Sequence, residues 1–429
     1  MKILICGINY APDLTGIGKY TGEMANWLAE NGHSVDVITG MPYYPQWKIN
    51  AAYKKKWWHT EIMNGVKVYR CPLYIPKKVS SVKRIIHEFS FVLSTIPIWI
   101  KKMFSKKYDV VISVSPPFHL GILPLIYSKL RGTKIVTHIQ DLQVDVAKEL
   151  KMINNQRLLK AMFRMEKYIL NRSSVVSTIS KGLLKKVKEK GIVAANCQLF
   201  PNWVDENAIR PINKNESLRA EFGLSQEDKV VLYSGNLGEK QGLENIIEAA
   251  KYFREHACVK FVIVGSGGGE IKLKQLVTEA GLTNILFRPL VAYEKLSALL
   301  AIADLHLVLQ KANAADLVMP SKLTSILAAG GCPLVTAPEG STLYKLIHKN
   351  EMGIVVEPDD HHRLAQGIKY ALDNSLENFR NNARYYASRF LSKEVILRNW
   401  ETILLRLTNN VPEKEASVVM FNDQGKISA

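Results

Sequence analysis

No apolar run in this 429-residue sequence is long enough to cross a bilayer as a helix. The most apolar stretch, Phe89 to Ile100, covers about 12 residues and is interrupted by Ser90, Ser94 and Pro97, against the roughly 20 that a span needs. The start, MKILICGINYAPD, places one lysine before a short apolar run, and it reads as a buried strand rather than a signal peptide. Cysteine is sparse: Cys6, Cys71, Cys197, Cys258 and Cys332 are five in number, scattered, and without a C-x-x-C pair or metal-ligand spacing. A disulfide scaffold is thereby excluded, no metal site is expected, and a reduced cytoplasmic setting fits. Acidic residues are scarce in one half only. Residues 1–200 hold 31 Lys and Arg against 12 Asp and Glu, a net of +19, whereas the remainder holds 26 against 27. The excess points to an anionic partner for the first half: phospholipid, a phosphate-bearing acceptor, or nucleic acid. The basic runs Lys54-Lys55-Lys56 and Lys77-Lys78 belong to no nucleic-acid module, so that last partner is not expected.

Hydrophobic residues make up 47% of the chain and charged residues 22%, enough apolar matter for two cores at this length. Short β-branched runs recur with helical segments between them. In the first half they are Lys2–Cys6, Val35–Thr39, Val66–Arg70, Val110–Val114, Lys134–Thr137 and Ser174–Ile179. In the second they are Val230–Tyr233, Lys260–Val264, Ile285–Phe287, Leu305–Leu309, Pro333–Thr336 and Gly353–Glu357. Such alternation predicts parallel sheets covered on both faces. Two doubly wound α/β domains follow, 1–203 and 204–393, parted near Phe200–Pro211. Tyr385–Leu407 reads as one or two amphipathic helices, of which about 394–408 is expected to pack back on the first domain. The polar tail 409–429 is expected to be disordered.

In open α/β sheets ligands bind beyond the carboxyl ends of the strands. After the first strand, Ala11 to Gly22 supplies Gly16 and Gly18 at a helix start; it is not a P-loop, and a plain strand-to-helix turn competes with a ligand loop. Lys134–Thr137 runs into His138-Ile-Gln-Asp141, a polar cluster in the expected crevice, with a capping Asp141 as the alternative. Ser180 reads as a helix cap, and Phe200-Pro-Asn202-Trp-Val-Asp205 as the linker. Tyr233 to Gly242 is a glycine-lined turn whose Lys240 suits a diphosphate. Val264-Gly265-Ser-Gly-Gly-Gly-Glu270 is an imperfect dinucleotide fingerprint with no acidic ribose partner. Asp316 to Gly331 sets Ser321, Lys322 and Thr324 at the start of a helix that Gly330-Gly331 ends, an arrangement suited to an anion.

With these segments in register over about residues 1–400, the chain resembles glycosyltransferase family 4, retaining transferases of GT-B fold. It is most similar to the bacterial exopolysaccharide (colanic acid) branch, fucosyltransferase-like. The resemblance implies two Rossmann-like domains facing across a cleft, the first for the acceptor and the second for a nucleotide-diphosphate sugar. Carried over, Gly16, Gly18 and Lys240 would meet the donor diphosphate, with Gly265 in the glycine loop beside it. Asn202 would border the cleft. The backbone at Arg288, Pro289 and Leu290 would face the base, and Ser321, Lys322, Thr324 and Ser325 would line the diphosphate and sugar. Asp141 first, and His138 second, would orient or deprotonate the acceptor hydroxyl. The pattern departs at Asn236, where the family has Arg, at Gln140 of its His-Asp pair, and at Ser325, where its second Glu falls. The expected function is transfer of a sugar, with fucose the candidate, to a lipid-diphosphate-linked glycan in exopolysaccharide synthesis, with no cofactor and no metal. Lys54, Lys55, Lys56, Trp57 and Trp58 would meet an anionic membrane surface at the inner face of the cytoplasmic membrane. A sugar-nucleotide epimerase on the same scaffold is the nearest rival reading, and a dinucleotide oxidoreductase a more distant one.

Overall fold

Strands with apolar side chains on both faces need a covering layer on each side. In β1 (Lys2–Cys6), Ile3, Leu4 and Ile5 are all fully buried. The computed structural model describes residues 1–13, 16–44, 46–78, 80–149, 152–153, 155–238, 241–312 and 320–408. They divide into two units: 1–201 with 397–408, and 202–396.

The first unit adds β2 (Ser34–Gly40), β3 (His59–Met63), β4 (Val66–Cys71), β5 (Val110–Ser115), β6 (Lys134–Ile139), β7 (Val175–Thr178) and β8 (Cys197–Leu199). Its helices are α1 (Gly16–Glu30), α2 (Ser81–Met103), α3 (Ile122–Arg131), α4 (Gln143–Glu149), α5 (Gln156–Arg172) and α6 (Lys181–Glu189). The strand order is β3-β4-β2-β1-β5-β6-β7-β8, parallel throughout except for β3 against β4. The antiparallel edge is a departure from the all-parallel expectation. Asn64-Gly65, both at positive φ, turns β3 into β4, and this two-residue turn is a hairpin signal. Alternating exposure along β3 and the three-residue length of β8 explain why neither stands out as an apolar run.

The second unit holds β9 (Lys229–Ser234), β10 (Val259–Val264), β11 (Ile285–Arg288), β12 (Leu305–Val308), β13 (Pro333–Thr336) and β14 (Ile354–Val356). Around them run α7 (Arg219–Phe222), α8 (Glu244–Lys251), α9 (Glu270–Glu279), α10 (Leu296–Leu300), α11 (Lys322–Ala328), α12 (Thr342–Lys349), α13 (His361–Asp373) and α14 (Glu377–Phe390). The order is β11-β10-β9-β12-β13-β14, parallel at every pair. In each sheet the first strand sits inside, with the chain running away from it in both directions. Connections therefore leave it to opposite faces, and a crevice opens at its carboxyl end.

Two buried charges fix elements beside the first crevice. Lys102, in the last turn of α2, donates from Nζ to Asp36 Oδ2 of β2 at 2.6 Å, and the Tyr108 hydroxyl donates to the same oxygen. Arg70 of β4 is 1% exposed, pairs with Glu61, and donates from Nη2 to Ala11 O at 2.6 Å. Burying either charge is tolerable only because its partner is present.

The chain leaves the first unit after Pro201 and re-enters it at Leu397, within α15 (Lys393–Leu407). Trp400 is fully buried there, stacked on Phe200 with ring centroids 4.1 Å apart and planes within 9°. His33 bonds Glu401 at 2.7 Å. Replacing Trp400 by Ala should destabilise the first unit by about 3–5 kcal/mol, the range for a buried aromatic lost from a core. Urea unfolding followed by near-ultraviolet dichroism reads this directly; an unchanged midpoint would show that α15 is not part of that core.

Candidate functional site

The loop after β1 is pinned by the Arg70 bond to Ala11, and that bond sets Asp13 in the crevice. Asp13 is 8% exposed and accepts from Asn9 Nδ2 at 3.4 Å. Burial raises its pKa to about 6; the Asn9 bond and the Arg70 charge pull the other way and lose. Gly18 lies one turn into α1, where a Cβ would come within 2.8 Å of Asp13 Cβ. The close approach of this carboxylate accounts for the glycine by itself. Gly16 opens α1 with no atom near its missing side chain.

Opposite the loop, α2 contributes Arg84, His87 and Glu88. Gln143, at the start of α4, joins three segments: its Nε2 donates to both Glu88 oxygens at 2.9 Å, and its Oε1 accepts from Phe118 N at 3.3 Å. Arg84 Nε donates to Glu88 Oε1 at 3.2 Å. Burial nevertheless raises the Glu88 pKa, with Arg84 and Gln143 opposing. His119 stacks on Phe89 at 4.2 Å and is pushed down to about 4 by burial, so it is neutral at pH 7. The Nε2 atoms of His87 and His119 are buried with no hydrogen-bond partner among the described residues. Burial raises the Tyr44 hydroxyl pKa, and the charges of Arg84, Asp13 and Asp141 also act on it. Asp141 is half-buried in the bend after β6.

His138 does not hold the place expected of it. It is 3% exposed, with Nδ1 bonded to Ser177 Oγ at 3.0 Å and Nε2 to Gln140 Nε2 at 2.9 Å. Its ring packs at 5.0 Å from Phe200, and burial lowers its pKa to about 3. A neutral imidazole with both nitrogens engaged has no lone pair to offer an acceptor. It is buried because both faces of β6 are covered: its last five positions, His138 among them, are all buried.

In the second unit, the turns after β9 and β10 close on one another. Gly235 N donates to Val264 O at 2.9 Å and Leu237 N to Ser266 O at 3.0 Å. A Cβ at Gly265 would lie 1.9 Å from Gly235 O, and one at Gly267 2.6 Å from Leu237 O, so loop packing by itself accounts for these two glycines; Gly268 has open space. Gly235, at φ +148°, also makes room for Lys322 at the start of α11: a Cβ there would be 3.1 Å from the lysine Nζ. Lys322 Nζ is buried, lies 3.4 Å from the Tyr233 ring centroid, and has no hydrogen-bond partner among the described residues. Burial brings its pKa down to about 7.

The neighbouring positions are more mixed. Ser321 precedes α11 but makes no side-chain cap; Thr324 Oγ1 donates to Ser321 O at 2.9 Å. Ser325 is half-buried. Asn236 O accepts from the Tyr233 hydroxyl at 2.7 Å, and the Asn236 side chain fills the space beside Gly238 and Gly267. The Arg288 guanidinium is turned away to Phe222 O at 2.6 Å, and its backbone O accepts from Gly265 N. Pro289 and Leu290 are exposed. Asn202 Oδ1 is buried without a partner among the described residues. Lys240 and Asp316 lie outside the described residues, as does the tail 409–429. Beyond β12 a cavity of about 490 Å³ is lined by Glu244, Asn245, Lys311, Ala312 and Asp359. No group of three or more His, Cys, Asp or Glu among the described residues could hold a metal ion.

The family model "Glycosyl transferase 4-like domain" matches residues 15–203, and "Glycosyl transferases group 1" matches 214–390. The chain is 42% identical over 407 residues to the putative colanic acid biosynthesis glycosyl transferase WcaI of Escherichia coli, covering 93% of this chain and 98% of that one. This chain belongs to the glycosyltransferase family. The fold of this glycosyltransferase is shared with solved GT-B structures. Sucrose-phosphate synthase of Thermosynechococcus elongatus superposes with a TM-score of 0.73 at 16% identity, covering 96% of this chain and all of the other. Anabaena HepE, solved with UDP-glucose, gives 0.69 at 17% identity, over 95% of this chain and all of that one.

Several polar groups of this transferase escaped the sequence reading: Asn9, Asp13, Tyr44, Arg84, Glu88 and Gln143 in one unit, Tyr233 in the other. One signal was available. Between Tyr74 and Lys107 there are eight Lys or Arg and a single acidic residue, Glu88, which an all-basic surface helix has no reason to keep. Asp13 gives a pH test. An unfolded aspartate titrates near ~3.9, so the folded chain gains stability from the retained proton below about pH 4 and loses it as pH rises through about 6. Asp13→Asn should therefore stabilise the protein at pH 8, by on the order of 2–3 kcal/mol, and leave it unchanged at pH 4. Equal gains at both pH values would remove the buried charge as the cause.

Proposed function

We propose that this glycosyltransferase moves a sugar from a nucleotide-diphosphate donor to a lipid-diphosphate-linked glycan, in the assembly of an exopolysaccharide of the colanic acid type. The observation that carries the donor half is Lys322: a buried ammonium against Tyr233 and Gly235, without a hydrogen-bond partner among the described residues, in the loops that end β9 and begin α11. A diphosphate supplies the counter-charge that such a group otherwise forgoes, and it stabilises the charge that develops as the sugar–phosphate bond breaks. Support for a nucleotide sugar also comes from Anabaena HepE, whose solved complex contains UDP-glucose. Lys240, Ser321, Thr324 and the loop from Asn236 belong to the same proposed donor site, and Gly16 is a proposed diphosphate contact of the first unit. The carboxylate of the family pattern is absent at Ser325; Glu244 and Asp359 are acidic groups lining the 490 Å³ cavity.

For the acceptor half, the crevice of the first unit offers Asp141, Asp13 and Arg84 around Tyr44. In the proposed step the acceptor hydroxyl gives its proton to a carboxylate as its oxygen joins the anomeric carbon with retention, and the donor diphosphate leaves. Asp141, half-buried and in the bend after β6, is the group assigned to orient that hydroxyl. Asp13, held near pKa 6, is matched to accepting a proton close to neutral pH. His138 is assigned to positioning the bend rather than to the acceptor. The proposed reaction uses no cofactor and no metal ion, with fucose as the first sugar to test. It runs at the inner face of the cytoplasmic membrane, where the lipid-linked acceptor is anchored.

Binding tests separate these parts. Lys322→Met keeps the volume and removes the charge, so affinity for the preferred nucleotide sugar should fall about tenfold to a hundredfold in calorimetry. In the wild type, binding restores a proton to Lys322, so affinity should drop between pH 7 and pH 9, approaching about tenfold per unit. A pH-independent affinity that Lys322→Met leaves intact would overturn the phosphate assignment. Asp141→Asn should lower turnover far more than donor affinity, and chelation by EDTA should leave turnover unchanged. A panel of GDP-, UDP- and dTDP-sugars identifies the donor, with GDP-fucose first; product formed without any acceptor would favour the epimerase reading.

A further inference from the structure

Helix α2 has two working faces. One is turned inward: Phe91, Val92 and Trp99 are buried in the core, Lys102 is locked to Asp36, and His87 and Glu88 enter the crevice. The other face carries Val82, Ile86, Phe89, Leu93 and Ile100, between 43% and 68% exposed, with Pro97 exposed among them. Their spacing of three and four residues keeps them on one stripe. Phe104, just past the helix end, continues it at 88% exposure. Trp58 donates from Nε1 to Ser94 O at 2.9 Å, which places Trp58 and its 73%-exposed neighbour Trp57 against the helix. An apolar stripe of this length on water costs free energy unless it is covered.

We propose that this face of α2, with Trp57 and Trp58, is a membrane-docking surface that lies in the headgroup layer of an anionic bilayer. This rests on the lipid-linked acceptor proposed above and names the element that meets the lipid. The charge around the stripe selects the occupant. Lys77, Lys78, Lys83, Lys101, Lys106 and Lys107 are exposed beside it, and the one acidic residue between Tyr74 and Lys107 is buried Glu88. A second copy of this surface would be repelled by the same cations, whereas anionic headgroups neutralise them while the apolar stripe sinks into the acyl boundary. Tryptophans are favoured at that depth. The expected patch Lys54 to Trp58 is then the rim of a larger surface built on α2. Because Glu88 and Ile86 share a helix, docking brings the polar cluster to the level at which a lipid-borne diphosphate lies.

The test uses the full chain with vesicles of phosphatidylcholine, with and without phosphatidylglycerol. The wild type should float with the mixed vesicles only, and lipids brominated on their acyl chains should quench its tryptophan fluorescence. The combined variant Ile86→Ser, Leu93→Ser and Ile100→Ser changes exposed positions, so it should fold as judged by circular dichroism. It should lose the quenching and bind at least about tenfold more weakly, since each buried apolar group contributes comparably to one such factor. The variant Lys77→Ala, Lys78→Ala, Lys83→Ala and Lys101→Ala should lose the preference for phosphatidylglycerol. Undiminished vesicle binding by the apolar variant overturns the proposal. So does a wild-type dimer, by sedimentation, that the same variant dissociates without any vesicle binding. Nucleotide-sugar binding by the wild type in solution is measured beside these; its absence would sink the transferase reading alone.

Discussion

The position of the first strand in each sheet governs where chemistry can occur in this protein. Because β1 and β9 lie inside their sheets, the chain must depart to both sides, and the backbone at their carboxyl ends is left uncovered by helices. Several of the unusual groups sit at or beside these ends. Asp13 follows β1, Asp141 follows β6, and Gly235 follows β9. Lys322 opens a helix that packs beside the same edge. Elsewhere a buried charge, such as Arg70 or Asp36, is held in an ion pair within the sheet layers.

These crevices hold charge at a cost. Burial keeps Asp13 near pKa 6, Lys322 near 7 and Glu88 above its ordinary value, and only around Asp13 and Glu88 do nearby partners offset part of it. A core selected for stability alone would replace such groups by apolar ones of similar size. Their coincidence with the two sheet crevices is the pattern expected of groups retained for work on a substrate. His138 and His306 make the contrast. Each is buried and driven to about 3, and His138 has both nitrogens engaged. Such histidines are neutral spacers in the core.

Helix α2 links the two physical themes. Its inner face is anchored by the Lys102–Asp36 pair and carries part of the polar cluster, while its outer face is apolar between flanking lysines. A helix that satisfies only one face is incomplete as a piece of a globular core. Part of the positive excess of the first 200 residues lies here, around α2 and the Lys54 to Trp58 segment.

The sequence by itself determined the alternation of strands and helices, the number of strands in the second sheet, the passage between units near Pro201, and the loops that end β1, β6 and β9. Those follow from local rules: β-branched runs, glycine at turns, and polar residues after strands. It also pointed to Lys322, because a lysine at a helix start opposes the helix dipole unless an anion is near. Only the tertiary structure decided which polar groups meet. Glu88 lies 55 residues from Gln143, and Arg70 lies 59 from Ala11, so no local pattern announces either bond. It likewise decided that His138 faces the core while Asp141, three residues on, does not. His138 lies within β6, which is covered on both faces, whereas Asp141 lies in the bend past the strand's end; where the covering layers stop is a property of the packed sheet and not of the residue.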